Sequence, residues 1–263
     1  MRGPSLRNAP LAAAIGLALL ASPARADESG MREWYSRARL AAAADKHDDA
    51  VAACDELLKQ DPKFSAAYQL RGEEQFKRGK FHESVVDFQK YLELNPSAAP
   101  GHWQLGISYY YDGQFAAGAK QFEAYQNVDD NDVENVVWRF LCQARAAAAQ
   151  GEGIEKARAA LFKVKLDRRV PMMEVYRMFK GELQPDDVLK AAEAGASEAT
   201  EDELRTRRFN ANLYVGLYYE ALGKTDLAKQ HITEAHEKYS ISHYMGDVAR
   251  VHAELLEKPA GKK

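Results

Sequence analysis

Cysteine is nearly absent from this 263-residue chain: there are two, Cys54 and Cys142. Two thiols exclude a disulfide framework and are too few for a four-cysteine zinc site. A large excess of one charge sign is missing as well. Lys and Arg total 36 against 39 Asp and Glu, a net charge of −3, so no basic excess points to nucleic acid. Beyond the first two dozen residues no apolar run approaches the roughly 18 residues of a bilayer span, so no integral membrane span is expected there. Proline is sparse, and its nine residues fall mostly at segment boundaries. What is present is abundant alanine, with 46% hydrophobic and 29% charged residues. That is enough apolar surface for a packed core, in a composition that favours helix.

The N-terminus reads separately. Arg2 and Arg7 precede an apolar stretch from Leu11 to Leu20, and Ala24-Arg25-Ala26 offers a small-x-small cleavage site. This order is that of a secretory signal peptide over residues 1–26, with cleavage near Ala26. An exported protein is expected, periplasmic or secreted and soluble; the competing reading keeps the segment as an uncleaved helical anchor. Loss of three arginines leaves 33 basic against 39 acidic residues, so the mature chain carries −6.

Internal repetition sets the fold class. Displaced by 34 residues, Pro62 falls on Pro96, Gly72 on Gly106, Gly79 on Gly113, Phe88 on Phe122 and Tyr91 on Tyr125. Small residues form one series (Ala50, Ser84, Gly118) and larger apolar ones another (Cys54, Phe88, Phe122). Small residues let two helices approach, and the larger residues four positions on fill the space between layers. Asp61-Pro62 and Asn95-Pro96 end one helix and redirect the chain. The period and residue types resemble the tetratricopeptide repeat, two antiparallel helices per unit. The predicted fold is an all-α solenoid of antiparallel helix pairs, with a degenerate middle and a C-terminal closing helix.

Three regular units are expected over 27–132. Gly216, Tyr219, Gly223, Ala228 and Ile232 repeat the pattern of the third unit at an offset of 110. A C-terminal repeat with a closing helix is therefore expected over 209–257, and degenerate helix pairs over 133–208. Within the middle, Val133–Ala149 and Ile154–Leu166 read as one pair, and Met172–Lys180 and Pro185–Ala194 as another. Residues 258–263 read as a disordered tail.

A narrower resemblance rests on Tyr109, Tyr110, Gly113, Asp129, Asn131 and Trp138. They are followed by Leu213-Tyr214-Val215-Gly216-Leu217-Tyr218-Tyr219, Leu222-Gly223 and His243-Tyr244. Over roughly residues 65–257 this order resembles the NlpI-type (new lipoprotein I) family of bacterial envelope adaptors. The resemblance implies a non-catalytic scaffold that brings cell-wall hydrolases together with a protease, commonly as a homodimer. One departure is clear: Ser22 follows Leu19-Leu20-Ala21 where the family has a lipid-bearing cysteine, so lipidation is not expected. The competing reading is a chaperone-like assembly subunit of an outer-membrane or secretion complex.

No motif for catalysis, cofactor or metal stands up. His231 and His236 are five apart, not the four that place two imidazoles on one helical face. No serine occupies a Gly-x-Ser-x-Gly elbow. Cys54 and Cys142 lie more than two layers apart in the predicted stack, beyond disulfide reach, so both should be free and buried. Charge is uneven in the middle. Eight basic residues fall between Lys156 and Lys180, and eight acids between Glu182 and Glu203. Two solvated faces explain this, with an anionic partner site on the basic segment as the functional alternative.

The binding surface follows from solenoid geometry, in which first helices line the concave side. In the third unit, His102, Leu105, Gly106 and Tyr109 follow the packing pattern. Trp103, Ile107, Tyr110 and Tyr111 form a second stripe at i, i+4, i+7, i+8. With Tyr35 and Arg39 from the first unit and Gln69, Glu73, Phe76 and Lys77 from the second, this stripe predicts a partner-binding groove. Its aromatic centre and polar margins suit an extended or helical peptide segment. The opposing reading has the fourth unit fold over these aromatics and bury them.

Overall fold

The structure, a computed structural model, describes residues 23–258, with side chains from 29 onward. The expected leader lies outside the described residues up to 22, and the tail beyond 258 does too; residues 23–26 form the first turn of a helix. All regular structure among the described residues is helical. The regular units are α1 (Pro23–Ala43) with α2 (His47–Gln60), α3 (Ser65–Lys77) with α4 (Phe81–Leu94), and α5 (Trp103–Tyr111) with α6 (Phe115–Tyr125). A 3₁₀ turn, Pro96–Gly101, precedes α5. The middle holds α7 (Val133–Ala148), α8 (Glu155–Ala159), α9 (Met172–Lys180) and α10 (Pro185–Ala192). Finally come α11 (Glu201–Ala221), α12 (Thr225–Lys238) and α13 (Tyr244–Glu257).

Small and large residues do meet between paired helices, with Gly106 rather than Gly118 facing the Phe122 ring. A methyl on Gly106 would stand 2.6 Å from the Phe122 ring, so the ring of α6 rests directly on the backbone of α5. Gly79, between α3 and α4, has φ +72°, a conformation that glycine adopts without steric cost. Asp61 and Asn95 are non-helical C-caps whose N–H groups still bond to Leu57 and Tyr91, so each helix stops at its X-Pro step. The two cysteines are free and buried. Burial pushes the Cys54 thiol up to about 12 and raises that of Cys142, so neither thiolate is available near neutral pH.

The middle departs from expectation at one place. The helix expected over 154–166 is a single short turn, Glu155–Ala159, and the chain then runs without regular structure to residue 170. Its backbone is claimed by side chains from upstream. Asn131 Oδ1 accepts from the N–H groups of Lys165 and Leu166 at 3.1 and 3.2 Å. Asp167 accepts from Val133 N–H at 3.3 Å, and Arg139 donates to the Ala160 carbonyl at 2.8 Å. Arg169 reaches Asp132, Glu134 and Asp167 at 2.7, 2.6 and 2.6 Å, pinning the segment across the start of α7.

The last pair also begins earlier than residue 209. Thr200 and Glu203 form a reciprocal capping box, Glu203 N–H donating to Thr200 Oγ1 at 3.2 Å and Thr200 N–H to Glu203 Oε2 at 2.9 Å. That box starts α11 at Glu201.

The closing helix returns to the concave side of the second and third units. Tyr244 meets the rings of Phe76 and Trp103, both with centroids 5.3 Å away. Arg250 donates to the Lys77 carbonyl at 3.0 Å, and Tyr111 hydroxyl lies 2.8 Å from His252 Nδ1. One large core consequently joins α3 and α5 through α13. A separate small core under α1 to α3 is built on Ala38, Cys54 and Leu57.

Candidate protein-binding site

The predicted groove is filled. Phe76, Ile107 and Tyr110 are buried, and Tyr111 is largely covered. Trp138 of α7 packs edge-on against Tyr110 at 5.4 Å, Glu220 of α11 accepts from the Tyr110 hydroxyl at 3.1 Å, and α13 covers the rest. Phe76, Tyr110 and Tyr111 are therefore core residues of the closed stack. The reason is the second apolar stripe itself: α7 and α13 carry the matching apolar faces, so burial wins over exposure.

The polar margin is engaged as well. His102 caps α5 through Nδ1, which accepts from Leu105 N–H at 3.2 Å, while its Nε2 donates to Gln69 Oε1 at 2.7 Å. Gln69 in turn donates to Glu73 at 2.7 Å. Burial lowers the His102 imidazole to about 4, so it stays neutral and keeps this chain of bonds. Lys77 pairs with buried Glu74 at 2.8 Å and faces Asp247 of α13 at 3.7 Å. Tyr35 and Arg39 lie elsewhere. They border an open hollow of about 430 Å³ on α1 with Leu40 and Phe64, at the end of the stack away from Trp103.

One predicted pair does line a usable space. Trp103 and Ile107 border a cavity of about 200 Å³ with Phe122 and Tyr125 of α6 and Asn135 and Trp138 of α7. Asp132, Glu134, Arg169, His243 and Met245 also line it. The His243 imidazole stacks on Trp103 at 6.2 Å and caps α13, so the cavity exists only because the closing helix has docked. Arg169 is shared by Asp132, Glu134 and Asp167, so negative charge is in excess there, and Glu134 also accepts from Tyr214 hydroxyl at 2.5 Å. Sequence reasoning missed Trp138 and Asn135 as cavity residues. Their i, i+3 spacing on α7 was the available signal, but nothing local says what that face meets.

The basic middle is largely paired. Lys156 meets Glu152 at 2.9 Å, Arg158 meets Glu155, and Lys180 meets Glu182 at 2.5 Å. Among the described residues no group of three or more His, Cys, Asp or Glu side chains is placed to hold a metal ion, and no helix is long and apolar enough to cross a membrane.

Comparison with known proteins bears on the repeat. Residues 65–97, which hold α3 and α4, match the family model of the tetratricopeptide repeat. Among solved structures, the chain is similar to the TPR domain of P58(IPK) at 15% identity, covering 90% of this chain and 68% of that one, with a TM-score of 0.41. A score at that level carries no argument about partners. The protein is an all-α assembly of paired antiparallel helices that carries a tetratricopeptide repeat.

Proposed function

We propose that this protein is a non-enzymatic, protein-binding scaffold of the bacterial cell envelope, exported in soluble form and not lipidated, that organises wall-processing enzymes. The observation that carries the scaffold reading is the repeat at residues 65–97 within a stack of helix pairs, an architecture that offers binding surface rather than a reaction centre. The envelope assignment rests on the leader pattern of residues 1–26 and on the resemblance over 65–257. With α13 docked, the cavity beside Trp103 and the hollow beside Tyr35 and Arg39 are the places for a partner that include residues of the predicted groove.

The test is co-purification from the native envelope with a photo-crosslinker placed at Tyr35 or at His243. Wall hydrolases or an envelope protease captured at either position support the proposal. Capture of outer-membrane assembly or secretion components instead transfers the chain to the chaperone-like class. Recovery of the protein only in the cytosol removes the envelope role. Sedimentation of the purified protein at micromolar concentration tests the homodimer.

A further inference from the structure

Surplus negative charge stands beside an aromatic cavity. Trp103, Phe122, Tyr125 and Trp138 line the space of about 200 Å³ bounded by α5, α6 and α7, together with Asp132, Glu134 and Arg169. Arg169 serves three carboxylates, Asp132, Glu134 and Asp167, at 2.7, 2.6 and 2.6 Å. Three carboxylates against one guanidinium leave a local charge of −2. His243 does not offset it: its Nδ1 accepts from Met245 N–H at 3.3 Å, so the ring is neutral in this arrangement.

The two carboxylates that line the cavity also have acceptor capacity to spare. A carboxylate offers about four lone-pair sites. Asp132 uses three, for Arg169, Glu134 N–H and Asn135, and Glu134 uses two, for Arg169 and the Tyr214 hydroxyl. Their side chains stay 16% and 21% exposed, where that of Asp167 is 5% exposed. Charge and free acceptors together call for a cation with several donors. The aromatic lining narrows which one. A guanidinium is planar, weakly hydrated, stacks on rings and pairs with carboxylates through parallel N–H bonds. A lysine ammonium is a compact, strongly hydrated point charge and loses more on entering such a space. The volume is somewhat more than the roughly 150 Å³ of a cavity that accepts benzene, so it admits one side chain and not a helix.

Building on the scaffold reading, we propose that this cavity receives a single arginine side chain of the partner protein. The surplus charge at Asp132 and Glu134 draws the guanidinium in, and the aromatic residues pack around it. A second guanidinium beside Arg169 is tolerated because three carboxylates still outnumber two cations. Arginine is also among the side chains that dominate binding energy at the centre of an interface.

The test uses the full chain with N-acetyl-arginine-N-methylamide, its citrulline, lysine and phenylalanine counterparts, and calcium chloride as probes. Binding is read by NMR shift titration at low ionic strength. The proposal expects saturable binding of the arginine derivative. The citrulline derivative, alike in shape but uncharged, should be weaker by at least about tenfold. Asp132→Asn keeps an N-cap for α7 while removing one charge, and Trp103→Leu removes one aromatic wall. Each, checked for an intact fold, should shrink the preference for arginine over citrulline. Equal binding of those two derivatives by the unaltered chain overturns the proposal. So does tighter binding of the lysine or phenylalanine counterpart, calcium bound at these carboxylates that the arginine derivative cannot displace, or no saturable binding at all. Such a failure, beside a partner still crosslinked at Tyr35, removes the arginine pocket and leaves the scaffold reading standing.

Discussion

In the first helix pair, Ala38, Ala53, Cys54, Leu57, Leu58 and Ala67 form a core drawn only from α1, α2 and α3. The core between α5 and α13 is built differently. Tyr110 bonds to Glu220 across 110 residues, Tyr111 meets His252 across 141, and Arg250 reaches the Lys77 carbonyl across 173. The first region is a true solenoid, in which each unit touches only its neighbours and stability adds along the stack. The second is a closed globule made from the same kind of helix pair. The difference lies in α13: once the closing helix enters the concave side, the repeat's natural binding face becomes core, and recognition moves to the rim of that closure.

The largest expected effect comes from breaking the closed core. Trp138→Ala should cost about 3–5 kcal/mol, measured by denaturant unfolding. The parallel change in the solenoid end, Leu57→Ala, should instead abolish hydrogen-exchange protection in α1 and α2 while moving the main transition much less. Equal global losses from both would erase the distinction between the two regions.

Next in size is a difference in pH response. Burial lowers His102 from 6.5 to about 4. The unfolded chain therefore binds a proton between pH 6.5 and 4 that the folded chain refuses, and stability falls as pH drops through that window. The contribution is up to about 3 kcal/mol. Asn at this position still caps α5 but does not titrate, so His102→Asn should flatten the stability profile between pH 6.5 and 4. At Glu220, where α11 meets α5 and α13, the window is lower. Burial opposes the charge on Glu220, but His252, Arg145 and Tyr110 outweigh it and hold the carboxyl at about 2. The folded carboxylate resists protonation there, so its stabilisation is present above pH 4.5 and is lost toward pH 2. Glu220→Gln should remove that lower-pH loss without altering the upper window.

A smaller effect tests the docking of α13 itself. A methyl on Gly246 would overlap the carbonyl oxygen of Ile241, which is backbone and cannot swing aside. Gly246→Ala should therefore destabilise by about 1–3 kcal/mol. Its mark should be loss of protection in α13 before α3 and α5, read by hydrogen exchange.

Legibility in the sequence follows the same divide. The regular helix pairs and the separate buried cysteines were readable, because each depends on the 34-residue period; that Phe122 rests on Gly106, sixteen residues earlier, was not among those readings. The segment 160–170 was not, because Asn131 and Asp132 hold it from more than 30 residues upstream. Thr200 and Glu203 carried a readable helix start that the repeat offset obscured. The binding stripe was half legible. Its i, i+4, i+7, i+8 spacing identified an apolar face on α5 beyond the packing of the pair. Which element covers that face depends on α13, whose amphipathic pattern states that it packs but not where.

Aromatic NOE spectroscopy on the full-length protein tests the closure most directly. With ring centroids 5.3 Å apart, Tyr244 should show cross-peaks to both Phe76 and Trp103, and His252 should show them to Tyr111 at 5.6 Å. Absence of these cross-peaks, with Phe76 and Trp103 exposed to solvent quencher, would contradict the account and return the concave groove to the partner.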